Sequence, residues 1–330
     1  MGCKLYDVDG NEYIDFLNNY TVLIHGHCHP ATVEAVTEAA QRGLSFSAPT
    51  ENQAVMADII GERKKTMEAV RFCNSGTEAT MNAIRAARLY SGKSKIVKME
   101  GAYHGSHDLA EVSIAPRLEI AGPDDRPMSV AQHGGIPKSI LEEVIVVPFN
   151  NKEATEKIIF EHRNEIACVI MEVMVAFSGC VPSNDSYVEF IRDLTKKMGV
   201  TLFCDEIVTF RLGPGGGQGL YKIKPDLTTL GKAIGWGIPV GAFGGSREIM
   251  KIFSPRENTL ISHSGTFNAN PMTMAAGIAC LNAMTPEAIV KINSLGNSIR
   301  QGTNKIMQKN GVLGMALGIG SLAHIHFTKE

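Results

Sequence analysis

The sequence predicts an α/β fold with a mostly parallel central sheet. Three observations carry this. Short apolar runs of strand length alternate with longer stretches of helical period. The chain has 330 residues, enough for about two domains and a sizeable core. Its make-up, 44% apolar and 20% charged, is that of an ordinary globular protein rather than a disordered one. In chain order, residues 4–8 and 12–16 read as strands around the tight-turn pair Asp9-Gly10. Helical patterns follow at 30–42 and 52–66. A strand at 70–73 leads to a helix at 78–90, and strands follow at 95–99 and 144–147. A helix at 152–162, a strand at 166–171, a helix at 187–198 and a strand at 200–204 continue the alternation. Strand-like runs at 227–230 and 240–243 precede helices near 271–283 and 285–309. Residues 319–327 read as a last strand, with little sequence left to partner it. Loops at about 100–140 and 211–224 are long enough to suggest function.

Composition excludes several classes. Lys and Arg number 32 against 34 Asp and Glu, a net charge of −2, so no basic surplus exists for binding nucleic acid. The longest apolar stretch, near Met272 to Met284, is interrupted by Thr273 and Asn282 and falls short of the roughly 20 residues of a membrane span. No charged-then-apolar leader opens the chain. Met1-Gly2-Cys3 hints at lipidation, but Tyr6 stands where the myristoylation pattern wants Ser or Thr. Seven scattered cysteines without a C-x-x-C match reduced core thiols of a cytoplasmic protein.

Several constellations carry chemistry. In Phe72-Cys73-Asn74-Ser75-Gly76-Thr77-Glu78-Ala79 a strand runs through small residues into a helix. Free N–H groups there suit a phosphate, with Gly76 allowing close approach and Ser75 and Thr77 offering hydroxyls. Ser75-x-x-Glu78 is equally a capping box. Ser91-Gly92-Lys93-Ser94 is not a P-loop, because Ala87 occupies the position of the required earlier glycine. The glycine-rich run from Gly213 to Gly219 misses the dinucleotide spacing and reads as a flexible loop. His25, His27 and His29 would share one face of an extended chain without converging on a metal, and no carboxylate cluster accompanies them. Asp205 and Glu206 end an apolar strand, where α/β sheets bind ligands. Asp205 would pair either with a protonated ring nitrogen or with an arginine such as Arg211. Lys232 stands between an apolar strand and a glycine-rich turn. It is either a desolvated nucleophile towards carbonyls or a surface lysine. A phosphate cradle, a strand-end Asp and a strand-end Lys together match pyridoxal 5'-phosphate: the Lys would hold the aldehyde as a Schiff base and the Asp would keep the ring nitrogen protonated.

The motifs Asn74-Ser-Gly-Thr-Glu-Ala79, Gly101-Ala-Tyr-His-Gly105, Asp205-Glu-Ile-Val-Thr209, Asp226-Leu-Thr-Thr-Leu-Gly-Lys232 and His263-Ser-Gly-Thr-Phe-Asn268 are specific. With them, nearly the whole chain resembles the class III aminotransferases, in the branch of glutamate-1-semialdehyde aminomutase and β-phenylalanine aminotransferase. The resemblance implies the pyridoxal-phosphate type I fold with helices on both faces of the sheet and an incomplete small domain. It implies that Lys232 is the Schiff-base lysine and proton shuttle and that Asp205 meets the pyridine nitrogen. Ile207 and Tyr103 would cover opposite ring faces, and Ser75, Gly76 and Thr77 would hold the phosphate. Thr266 would reach the phosphate of a neighbouring subunit, hence a homodimer with shared sites. His27 becomes part of a structural turn.

The segments from His263 to Gly277 and from Ser178 to Pro182 are more similar to the β-amino-acid aminotransferases, so transfer of an amino group from a β-amino or related carboxylate to a keto acid is the first expectation. An intramolecular amino shift, as in the aminomutase, is the second. Val173 replaces the usual proline after Glu172, and Val175, Ala176 and Phe177 replace polar and small residues beside the substrate. Relatives carry a segment before the hairpin and a fuller C-terminal domain whose arginines grip substrate carboxylates, so the sequence names no substrate arginine. It looks like a fragment or truncated gene product, and a cofactor-binding but inactive piece is the third expectation. The expected divisions are 1–50 (hairpin and helix at the dimer interface), 51–283 (cofactor domain) and 284–330 (start of the small domain).

Overall fold

A computed structural model describes residues 2–257 and 261–328. An N-terminal hairpin pairs β1 (Lys4–Tyr6) with β2 (Glu12–Ile14). Asp7 shapes its turn by accepting hydrogen bonds from the backbone N–H groups of Asp9 and Asn11. The strands are shorter than the sequence pattern. Residues 16–17 leave the ladder as the Asp15 carboxylate accepts from the N–H groups of Leu17 and Asn18.

The central sheet takes β3 (Ala69–Cys73), β4 (Lys95–Met99), β5 (Val144–Val147) and β6 (Ile166–Met171). After a small ribbon of β7 (Met174–Val175) and β8 (Val181–Pro182) it adds β9 (Thr201–Asp205), β10 (Leu227–Gly231) and β11 (Gly241–Gly245). The order is β3-β11-β10-β9-β6-β4-β5. Only β11 runs antiparallel to its neighbours. These strands read as continuous apolar runs because both faces are covered. Neighbouring residues point to opposite faces. Val97, Val169 and Leu202 join one core with Tyr187 and Ile191 of the helix Asp185–Met198. Ile96, Ile170 and Phe203 join another with Ala83 and Ala87 of the helix Gly76–Ser91.

The helix Pro271–Ala283 is apolar nearly all round and is buried, between the rest of the domain and the helices Pro30–Arg42 and Glu51–Arg63. Among the described residues no single helix is long and apolar enough to cross a membrane.

Two expectations are corrected. The stretch 319–327 is not one strand. Gly318 and Gly320 take positive φ, and Leu322 N–H closes a turn on the Ile319 carbonyl. Only β13 (His324–His326) remains extended, and its partner lies upstream in β12 (Met315–Leu317), too short to show a period. The run from Gly213 to Gly219 is not a free loop. It contains the short helix Gly216–Leu220, with Gly216, Gly217 and Gln218 buried. Gly216 has no side chain, so its backbone packs directly on Glu206 and Lys64. The Lys64 ammonium bonds the Gly215 carbonyl at 2.6 Å and the Glu206 carboxylate, and both side chains of that ion pair are fully buried. Lys64 leaves the preceding helix at Arg63 to make these contacts, so that helix ends earlier than its pattern.

Candidate active site

The parallel sheet brings strand ends from distant sequence to one edge. The last registered pair of β6 and β9 is Met171 with Cys204, so Glu172 and Asp205 stand side by side beyond it. Gly231 of β10 pairs with Gly241 of β11, and Lys232 follows directly. A cavity of about 930 Å³ opens over this edge, the position that open α/β sheets use for ligands. Lys232, Asp205, Ile207, Tyr103, Gly76 and Thr77 all line it. Ser75 and Thr266 do not.

Lys232 begins a 3₁₀ turn with φ 47, a left-handed conformation disfavoured for a side-chain-bearing residue and frequent at functional positions. Its ammonium makes no hydrogen bond or ion pair among the described residues. Burial lowers its pKa, while Asp205 and Glu172 oppose the shift. The turn is held from behind by the helix Pro271–Ala283. Gly277 sits where a Cβ would overlap the Ile234 carbonyl oxygen, and Cys280 Sγ lies 3.1 Å from the Ala233 carbonyl.

Asp205 is 3% exposed. Its Oδ1 accepts from the Ile207 N–H and the Thr229 hydroxyl, both at 3.1 Å. Oδ2 meets His104 Nδ1 at 2.8 Å. Arg211 does not pair with it; the guanidinium bonds Ser321 Oγ and the Thr21 carbonyl instead. Desolvation pushes the His104 pKa down, against the pull of the Asp205 hydrogen bond and charge. A buried carboxylate without a bonded cation is costly. Its requirement for positive charge fits the protonated nitrogen of a pyridine ring.

Glu172 is also buried, and its pKa is raised to about 8 by desolvation first and then by the Asp205 charge. Its Oε1 has no partner among the described residues. Lys98, wholly buried in β4, bonds the Val112 carbonyl, and burial brings its pKa down to about 7.

The walls suit a flat ring. Ile207 presses on Gly76, where a Cβ would come within 2.6 Å of its Cδ1. Tyr103, on the same cavity, stacks on Phe177 with ring centroids 5.6 Å apart. The helix Gly76–Ser91 points its N-terminus at the cavity and offers the unpaired N–H groups of a 16-residue helix. Ser75 Oγ accepts from the Glu78 N–H at 3.1 Å, and Glu78 bonds back to the Asn74 N–H, so the cap and the cradle coexist. Thr77 Oγ1 accepts from the Ser106 N–H. Thr266 is exposed. His27 bonds Asp15, while His25 and His29 lie against Trp236 with centroids 4.6 Å away, so these histidines are engaged in packing.

His104, Glu172 and Arg211 are the residues that sequence reasoning left without a site role. Glu172 carried the same strand-end signal as Asp205. His104 and Arg211 join the site only through long-range contacts.

The aminotransferase class-III family model matches residues 1–330. The chain is 42% identical to a glutamate-1-semialdehyde 2,1-aminomutase of Natranaerobius thermophilus, over 99% of this chain and 75% of that protein. Its structure is similar to an omega-transaminase from Sphaerobacter thermophilus (TM-score 0.96, 41% identity, 100% of this chain and 75% of that one). It is also similar to a β-phenylalanine aminotransferase from Variovorax paradoxus (TM-score 0.87, 37% identity, 100% and 72%). A further similar transaminase structure holds pyridoxal phosphate. The Lys232–Asp205 edge, the apolar walls and these likenesses lead to one conclusion: the chain belongs to the class III aminotransferases, enzymes that depend on pyridoxal phosphate.

Proposed function

We propose that this chain transfers an amino group from an amino carboxylate, a β-amino acid first among them, to a keto acid. The observation that carries this reading is the Lys232 amine, without a partner among the described residues, on the same cavity as the buried Asp205 carboxylate. When bound, pyridoxal phosphate supplies an aldehyde for amines and a ring that takes up the electrons of a broken C–H bond. Lys232 anchors that aldehyde. Its Nζ, made less basic by burial, would take up the proton of the substrate carbon and hand it back, so that Lys232 serves as the proton shuttle. Asp205 keeps the proton on the ring nitrogen, with His104 and Thr229 fixing the carboxylate's orientation. Ile207 and Tyr103 hold the ring between them. Gly76 and Thr77 receive the phosphate at the helix N-terminus, and the Ser75 hydroxyl keeps that terminus in shape.

The working unit under this reading is a homodimer in the cytoplasm, with Thr266 of one copy completing the phosphate site of the other. The exposure of Thr266 outside its own cavity and the absence of any paired cysteine among the described residues support these two points. The divisions near residues 50 and 284 are part of the same proposal.

The 42% identity to an aminomutase favours a second reading, an intramolecular amino shift. Incubation with an amino donor, with and without an added keto acid, separates the two. Transamination yields product only when the keto acid is present. Isomerised product formed without it would replace the first reading with the second.

A further inference from the structure

Arg211 lies in the 3₁₀ turn Thr209–Leu212 that follows β9. It is 6% exposed, yet it lines the same cavity as Lys232. No other arginine lines that cavity among the described residues. Its Nε donates to Ser321 Oγ at 3.0 Å and its Nη1 to the Thr21 carbonyl at 3.4 Å. Its Nη2 donates to nothing among the described residues, and no carboxylate offsets the burial that holds its pKa down at about 10. Ser321 accepts from Nε and keeps its own proton for another acceptor. A buried guanidinium normally ends on a carboxylate, bidentate where it can. Arg211 is bracketed by neutral groups that fix its direction and leave a donor edge unused. Thr21 reaches it from a run of four left-handed residues, Asn18 to Thr21, with φ between 47 and 76. Such a run persists only where its surroundings over-determine it.

We propose that Arg211, steered by Ser321 and Thr21, takes the carboxylate of the amino substrate, with the Ser321 hydroxyl as a second donor. This rests on the aminotransferase reading and deepens it: the substrate carries an anion, and a simple amine lacks the group this wall is built to receive. Substrate specificity then comes from the segments on either side of the sheet domain, which meet at one guanidinium.

The test compares 3-amino-3-phenylpropanoate with 1-phenylethylamine, the same amine without its carboxylate, on wild type, Arg211→Gln, Arg211→Lys and Ser321→Ala. It is paired with calorimetry of 3-phenylpropanoate, which cannot react, binding to each cofactor-loaded protein. In Arg211→Gln the preference for the acid over the amine, as a ratio of kcat/KM, should fall about tenfold or more through KM. Arg211→Lys should keep part of it and Ser321→Ala should lose less. Binding of 3-phenylpropanoate should weaken in the same order. A merely structural arginine would lower both substrates equally and leave the ratio unmoved, which would overturn the proposal. So would 3-phenylpropanoate that binds Arg211→Gln as tightly as wild type, or fails to bind wild type. If wild type turned over neither amine, the aminotransferase reading would fail, and the calorimetry alone would decide the role of Arg211.

Discussion

At the scale of single residues, the site depends on charges that the fold leaves incompletely paired. Asp205 bonds the Ile207 N–H, the Thr229 hydroxyl and the His104 imidazole but no lysine or arginine among the described residues, so its carboxylate is available to a ring nitrogen. Asp205→Asn keeps the shape and removes the charge. It should lower kcat by about 100-fold or more, in the range of a lost buried charge–charge contact, while cofactor affinity changes far less. Steady-state kinetics beside a cofactor titration checks this. Glu172 gives a pH signature. Its native pKa is about 8 against an ordinary value of 4.5. Between those values the folded chain holds a proton that the unfolded chain has released, so stability falls as pH rises through that window. Lys98, brought from 10.5 down to about 7, acts in the opposite sense at higher pH: the unfolded chain holds the extra proton, and stability rises from about 7 towards 10.5. Melting temperatures of Glu172→Gln should therefore decline less than those of wild type between about pH 5 and 8. Parallel curves would contradict the buried, protonated state of Glu172. Asp205 and Lys232 were legible in the sequence because each ends an apolar strand. The pairing of Asp205 with His104, rather than with the nearby Arg211, was not, since nothing local orients either basic group.

At the scale of elements, glycines and one buried ion pair set how closely backbones approach the site. The helix Pro271–Ala283 can press on the Lys232 turn because position 277 has no side chain. Gly277→Ala should cost about 1–3 kcal/mol, the usual price of overpacking, and should weaken cofactor binding by moving the turn. Chemical denaturation and a cofactor titration measure the two effects. Lys64→Met leaves Glu206 charged and buried beneath the Gly216–Leu220 turn, and should destabilise by about 3–5 kcal/mol. The double change Lys64→Met with Glu206→Met should cost less than the single one. The strands and long helices of the sheet domain were legible because their patterns are strong over four residues or more. The β12–β13 pair and the packed glycine turn were not. Three-residue strands show no period, and a glycine-rich segment looks mobile until the partner it packs against is known.

At the scale of the whole molecule, the sheet order explains why residues 76, 103, 172, 205 and 232 share one cavity. Six of the seven strands run in one direction, so their C-terminal ends, with the turns that follow, converge on a single edge. Alternation along the chain announced that architecture, and the motif residues announced the cofactor. The order of strands and the reach of Arg211 into the site depend on contacts among segments far apart in sequence, which no local pattern encodes. The central claim, that Lys232 anchors pyridoxal phosphate at this edge, is tested most directly by the visible absorption of wild type and Lys232→Ala, each mixed with the cofactor and freed of excess. Wild type should retain a cofactor band distinct from that of free pyridoxal phosphate, and Lys232→Ala should lack it. The same band in both proteins, or in neither, would contradict the assignment.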